Sequence, residues 1–136
     1  MLIDTNVWGE LSRPRPNPDV AAWMGENLDK CILSAIVFAE MQFGIAAAPD
    51  VLRRSNLAMF RDSILQKLDG VIAPFDAGAA IAWGPLRAKL KREGKLIGER
   101  DMLIAAHALS LRVPLVTRNV EEMARTGATL INPWTA

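Results

Sequence analysis

The chain has 136 residues, 51% of them hydrophobic, which suits one ordinary domain with its own core and excludes a disordered polymer. A net charge of +1 excludes polyanion binding by bulk charge, so any nucleic-acid contact must come from local basic patches. One cysteine, Cys31, excludes an internal disulfide; with no basic leader and no apolar run of about 18 residues, a cytoplasmic protein without membrane contact is expected.

Met1 to Asp4 reads as a very short buried strand. Thr5 or Asn6 then caps a helix through Ser12. Pro14, Pro16 and Pro18 break the chain. A second helix is predicted over 19–28, with Val20, Trp23, Met24 and Leu28 on one side. Cys31-Ile32-Leu33 forms a strand, and Ser34 caps a helix running to Ala48, stopped by Pro49. The segment 51–68 is helical, with Leu52, Phe60, Ile64 and Leu68 among its apolar positions. Residues 71–73 form a third strand. A long helix follows from Asp76 to Arg92, ended near Gly94. Another spans 99–111. A fourth strand covers 113–117 and a fifth 129–131. Short apolar strands alternating with one-faced helices predict an α/β fold, a parallel sheet covered on both sides. No repeat or linker divides it, so residues 1–136 are expected to form one domain.

Three acids stand where apolar residues are expected. Asp4 ends the first hydrophobic run. Glu40 shares a helix face with Ile36, Phe43, Gly44 and Ala47, and Asp101 shares one with Ile104, Ala105 and Ala108. Buried carboxylates need a partner, a proton or a cation. In open parallel sheets functional groups gather at the carboxyl ends of the strands, and both Asp4 and Asn119 directly follow a strand. Unpaired, such acids would lift one another's pKa; a divalent ion removes that cost. Oxygen donors with no histidine or cysteine nearby in sequence suit Mg2+ or Mn2+, and hence metal-assisted phosphodiester cleavage. Other roles remain open for two of them: Asp4 suits a helix cap, and Asp101 suits a helix N-terminus.

Asp4-Thr5-Asn6, Ser34-Ala35 followed by Ala39-Glu40, Asp101 followed by Ile104-Ala105-Ala106, and Thr117-Arg118-Asn119 resemble, in this order, the motifs of the PIN domain. The chain looks like the VapC-type toxins within that family, in particular the FitB-like group, and Asn132-Pro133-Trp134 adds to the likeness. The resemblance spans essentially the whole chain. It implies an α/β/α sandwich and an Mg2+- or Mn2+-dependent endoribonuclease, the toxin of a type II toxin–antitoxin pair. It also implies a homodimer and a VapB/FitA-like antitoxin through which DNA is met only indirectly. The matching residues are Asp4, Glu40 and Asp101 as the acidic cluster, with Asp4 and Asp101 as direct metal ligands. Glu40 would hold the ion through water or orient the attacking water. Thr5, Asn6 and Thr117 would support the site through hydrogen bonds. Where many PIN domains carry a fourth acid this chain has Asn119, which leaves a second metal open. Glu122 could supply the missing carboxylate, although the spacing from Asn119 is that of a capping box.

Arg100 and Arg118 adjoin the cluster in sequence and suit phosphate contact. Arg87, Lys89, Lys91, Arg92 and Lys95 form a basic run, read either as an RNA-gripping stripe or as a solvated helix side. His107 is assigned a structural role. Trp23 and Met24 are candidates for antitoxin contact. Two other functions compete. A haloacid-dehalogenase-type phosphatase also begins strand-Asp, but requires a second Asp where Asn6 stands. A non-enzymatic alternative is a catalytically weak PIN-like subunit that dimerises and docks a DNA-binding antitoxin, a reading Asn119 keeps open.

Overall fold

The computed structural model describes all residues from Met1 to Ala136. Strand β1 (Leu2–Ile3) leads into helix α1 (Thr5–Leu11) and then α2 (Pro18–Asn27), which runs on into a single 3-10 turn at Leu28–Lys30. Helices α3 (Ala35–Ala46), α4 (Val51–Lys67), α5 (Ala77–Arg92) and α6 (Glu99–Leu111) follow. Strand β2 (Leu115–Val116), the short helix α7 (Val120–Met123) and strand β3 (Leu130–Ile131) come after them. The strands pair in parallel in the order β1-β2-β3, with Leu2 opposite Leu115 and Leu115 opposite Leu130.

Five strands are predicted from the sequence and three form. The segments at 31–33 and 71–73 contribute only isolated parallel bridges, Leu2 to Ile32 and Ser34 to Ala73. They still extend the sheet beyond β1, because Ile3 N–H donates to the Ile32 carbonyl and Ala73 N–H to that of Leu33. Both residues of β1 and both of β2 are fully buried. Successive strand residues point to opposite faces, so both faces of the sheet are covered. No helix is long and apolar enough to cross a membrane.

Local chemistry explains most of the helix boundaries. Pro18 occupies the first turn of α2, where its missing N–H costs nothing, and Asn17 caps it. Ser34, Asp50 and Asp76 cap α3, α4 and α5 through their side chains. The cap of α1 is Asp4 rather than Thr5 or Asn6. One hydrophobic cluster of 20 buried residues joins the sheet to α1, α2, α3 and α6. In α6, Met102 and every residue from Ile104 to Ala108 are buried, so this helix lies inside the molecule.

The environment of Glu40 differs from the expectation. Val37 is the one buried residue of α3, and Phe43 is 74% exposed. Apolar residues surround this helix on every side, so their spacing does not reveal which face is covered. Glu40 therefore stands beside an uncovered apolar surface rather than a core stripe. Leu52, near the start of α4, is likewise exposed. Met24, expected at a partner surface, is buried in the core at 3% exposure, with Trp23 packed against that core.

Candidate active site

Four segments meet at the carboxyl edge of the sheet. The turn after β1 carries Asp4, with Thr5 and Asn6 in the first turn of α1. The second turn of α3 carries Glu40. The first turn of α6 carries Arg100 and Asp101, and the turn after β2 carries Thr117, Arg118 and Asn119. Strand ends and helix starts converge here because parallel strands aim their carboxyl ends the same way.

These side chains close a ring of hydrogen bonds. Thr5 N–H donates to Asp4 Oδ1 at 2.6 Å, and Thr5 Oγ1 donates to Glu40 Oε1 at 2.9 Å. Arg100 then bridges two acids, at 2.6 Å to Glu40 Oε2 and 2.7 Å to Asp101 Oδ1. Asn119 Nδ2 donates to Asp101 Oδ2 at 3.2 Å, while its own backbone N–H donates to Thr117 Oγ1 at 3.0 Å. Thr117 Oγ1 completes the circuit by donating to Asp4 Oδ2 at 2.8 Å. Asn6 braces it from one side, its Nδ2 donating to Asp4 Oδ2 at 3.3 Å and to Thr117 Oγ1 at 3.2 Å. Arg118 N–H donates to Asn6 Oδ1 at 3.2 Å.

Burial and charge act against each other at Asp4. Desolvation raises its pKa above the ordinary carboxylate value. The hydrogen bond from Thr117, the charge of Arg100 and the Thr5 N–H pull it down, and the charge of Asp101 adds to the rise. Arg100 is held firmly cationic: partial burial works against its charge, but the Asp101 and Glu40 contacts outweigh that and raise its pKa. Two carboxylates thus hold one guanidinium, whose charge also reaches Asp4.

In kind, the donors fit a hard divalent ion, since every carboxylate oxygen of the ring is an oxygen ligand and no thiolate or imidazole belongs to it. In placement they do not yet form a cage: no group of three acidic, histidine or cysteine side chains is arranged to hold a metal ion. Arg100 takes one oxygen of Glu40 and one of Asp101.

Asp4, Glu40, Asp101, Asn119, Thr5, Asn6, Thr117 and Arg100 are all brought together. Asp4 fills two positions at once: one oxygen caps α1 and the other faces Thr117 and Asn6. The capping-box reading of Asn119 does not hold, because α7 has no side-chain cap bond. The Asn119 amide is spent on Asp101 instead, and it approaches Glu122 Oε2 at only 3.5 Å. Arg118 stands apart from the acids, its guanidinium 5.0 Å from the centre of the Trp134 ring. Arg87 of the basic run pairs with Glu99 at 3.4 Å.

Two features escape a reading of the sequence. Glu10 is the second buried acid beside Asp4, and it is structural: it accepts from Asn17 N–H at 2.9 Å and pairs with Arg13 at 3.2 Å, tying down the proline-rich turn. An apolar groove of about 160 Å³ lies between α1, α3 and α4, lined by Trp8, Met41, Ile45 and Phe60. Thr5 and Glu40 form part of its wall, so it opens directly beside the ring.

Comparison with known proteins identifies the family. The PIN domain family model matches residues 1–128. The chain is 36% identical to the VapC ribonuclease Y4jK of Sinorhizobium fredii, covering 98% of this chain and 97% of that one. It is 35% identical to the toxin FitB of Neisseria gonorrhoeae, covering 98% of each. The structure of FitAB bound to an IR36 DNA fragment matches with a TM-score of 0.88 at 35% identity, over 98% of this chain and 94% of that one. The chain belongs to the PIN domain family, among its VapC and FitB-like members.

Proposed function

We propose that the protein is an Mg2+- or Mn2+-dependent endoribonuclease, the toxin of a toxin–antitoxin pair. The observation that carries this reading is the ring joining Asp4, Glu40 and Asp101 at the sheet edge of a VapC-like chain. Relatives named as a ribonuclease and a toxin support it. Asp4 and Asp101, with Glu40, would hold the ion. The chemistry such an ion supplies when bound is charge neutralisation at the phosphate and a more acidic water.

The chain's own residues do the rest. Thr117, Asn6 and the Thr5 N–H fix the Asp4 carboxylate so that little reorganisation is needed on binding. Glu40, with a side chain 24% exposed against 13% for Asp101, is the acid best placed to orient the attacking water and accept its proton. Water then attacks phosphorus in line and the opposite P–O bond breaks. Arg100 and Arg118 meet the phosphates of the strand. Asn119 lends an amide where a further carboxylate would add charge, which favours one metal over two.

A VapB/FitA-like antitoxin and a second copy of the chain are the expected partners, with DNA met through the antitoxin. The exposed Phe43, Val51, Leu52, Met59 and Ile81 support surfaces that partners cover. The expected site of action is the cytoplasm. Asn119 also supports the alternative, a catalytically weak subunit that dimerises and docks its antitoxin.

RNA cleavage by Asp4→Ala and Asp101→Asn tests the choice. Magnesium-dependent cleavage should fall at least about a hundredfold in each, the scale of losing a principal electrostatic group, and growth inhibition should disappear. Full cleavage by either variant would show the assigned roles to be wrong, metal-free cleavage by the wild type would remove the ion from the reading, and no cleavage by the wild type would favour the binding subunit.

A further inference from the structure

Arg100 stands out because it occupies the site it is expected to serve. Its guanidinium lies 2.6 Å from Glu40 and 2.7 Å from Asp101, with a second contact to Asp101 Oδ1 at 3.2 Å. A planar fork of this kind satisfies two carboxylates at fixed angles, which a lysine could not do. Glu40 and Asp101 are two of the three acids a divalent ion would draw on, and as they stand no three acidic, histidine or cysteine side chains converge to hold one. A guanidinium and a metal ion cannot share an oxygen on the same side without strong repulsion. The arginine is also free to leave, its side chain being 45% exposed at the open end of α6.

We propose that Arg100 is a resident counterion which the divalent ion must displace from Glu40 and Asp101. This rests on the metal-dependent reading above and deepens it. In the unloaded protein the fork neutralises part of the acidic ring and keeps Glu40 and Asp101 oriented. Loading frees one cation at the rim of the pocket, where an RNA phosphate arrives. Metal occupancy and phosphate capture are thereby linked through one side chain.

Calorimetric titration of Mn2+ into the purified, folded chain tests the competition without reference to cleavage. Arg100→Gln should bind Mn2+ about tenfold more tightly than wild type, the size expected when two partly exposed ion pairs no longer have to be broken. Arg100→Lys, which keeps the charge and loses the fork, should fall between them. Arg87→Gln removes the same charge from the exposed Glu99 pair and should change affinity by less than about twofold, because that pair is screened. Equal or weaker binding by Arg100→Gln, with wild type still taking up Mn2+, would overturn the competition and leave the metal-dependent reading standing. An equal gain in Arg87→Gln would reduce the effect to bulk charge and overturn it too. Failure of both wild type and Arg100→Gln to take up Mn2+ would overturn both readings.

Discussion

Thr117 carries three bonds of the ring through a single hydroxyl. It is fully buried, donates to Asp4, and accepts from the Asn119 backbone and the Asn6 amide. Valine has nearly the same shape, so Thr117→Val removes the hydroxyl without opening a cavity. The loss removes one of three donors to the buried Asp4 carboxylate and strands the Asn119 backbone N–H, and should cost about 1–3 kcal/mol in urea unfolding. Thr117→Ser, which keeps the hydroxyl, should recover most of the loss in hydrogen bonding; a valine variant as stable as wild type would show the bonds to be dispensable. The gathering of Asp4, Glu40, Asp101 and Asn119 was legible in the sequence, from acids at strand ends and helix starts. The part played by Arg100 was not. Its position next to Asp101 is plain, but the direction of a long flexible fork is set by its partners across space, not by its neighbours in sequence.

At the scale of elements, α6 is held against the sheet by His107. Its Nδ1 meets Ser34 Oγ at 2.9 Å, and its ring packs edge-on to Phe75. Ser34 Oγ also accepts from Ile36 N–H, which leaves it both a proton to give to Nδ1 and a lone pair to receive one. Burial lowers the His107 pKa from the ordinary 6.5, with Asp76 and the Pro74 carbonyl pulling the other way. The unfolded chain therefore binds the proton first. Stability is complete above the unfolded value and is lost as pH falls below about 6.5 towards the folded value, at no more than about 1.4 kcal/mol per pH unit. Thermal melts between pH 8 and 5 should show this decline in wild type and a flatter profile in His107→Gln. A wild-type profile no steeper than the variant's would mean the imidazole takes its proton freely. Helix order and most boundaries were legible from caps and prolines. The strands at 31–33 and 71–73 were legible as segments but not as ladders, because one or two backbone bonds decide whether a parallel pair extends. The covered side of α3 was illegible, since a helix apolar all round offers no contrast.

The whole molecule leaves an apolar surface unfinished. Phe43, Val51, Leu52 and Met59 lie on α3 and α4, which pack together, and each is more than two-thirds exposed. Phe43 is 74% exposed, so the thermal midpoint of Phe43→Asp should stay within about 2 °C of wild type, as expected of a surface change. Sedimentation and antitoxin titration should nevertheless show at least one association weakened about tenfold or more, the usual cost at a buried aromatic anchor. Both associations unchanged would remove this face from the list of interfaces. The sequence reading put partner contacts on Trp23 and Met24, of which the core takes Met24 wholly and Trp23 only in part.

The same circuit has a bearing on synthesis. Asp4 and Thr117 are 113 positions apart, and Asn119 lies further still. A growing polypeptide that has emerged from the ribosome as far as α6 already carries every acid, yet lacks the hydroxyl and amide that aim two of them. On the nuclease reading, a half-made chain is harmless to the transcript being translated, and toxicity begins only after β2 has slotted between its neighbours.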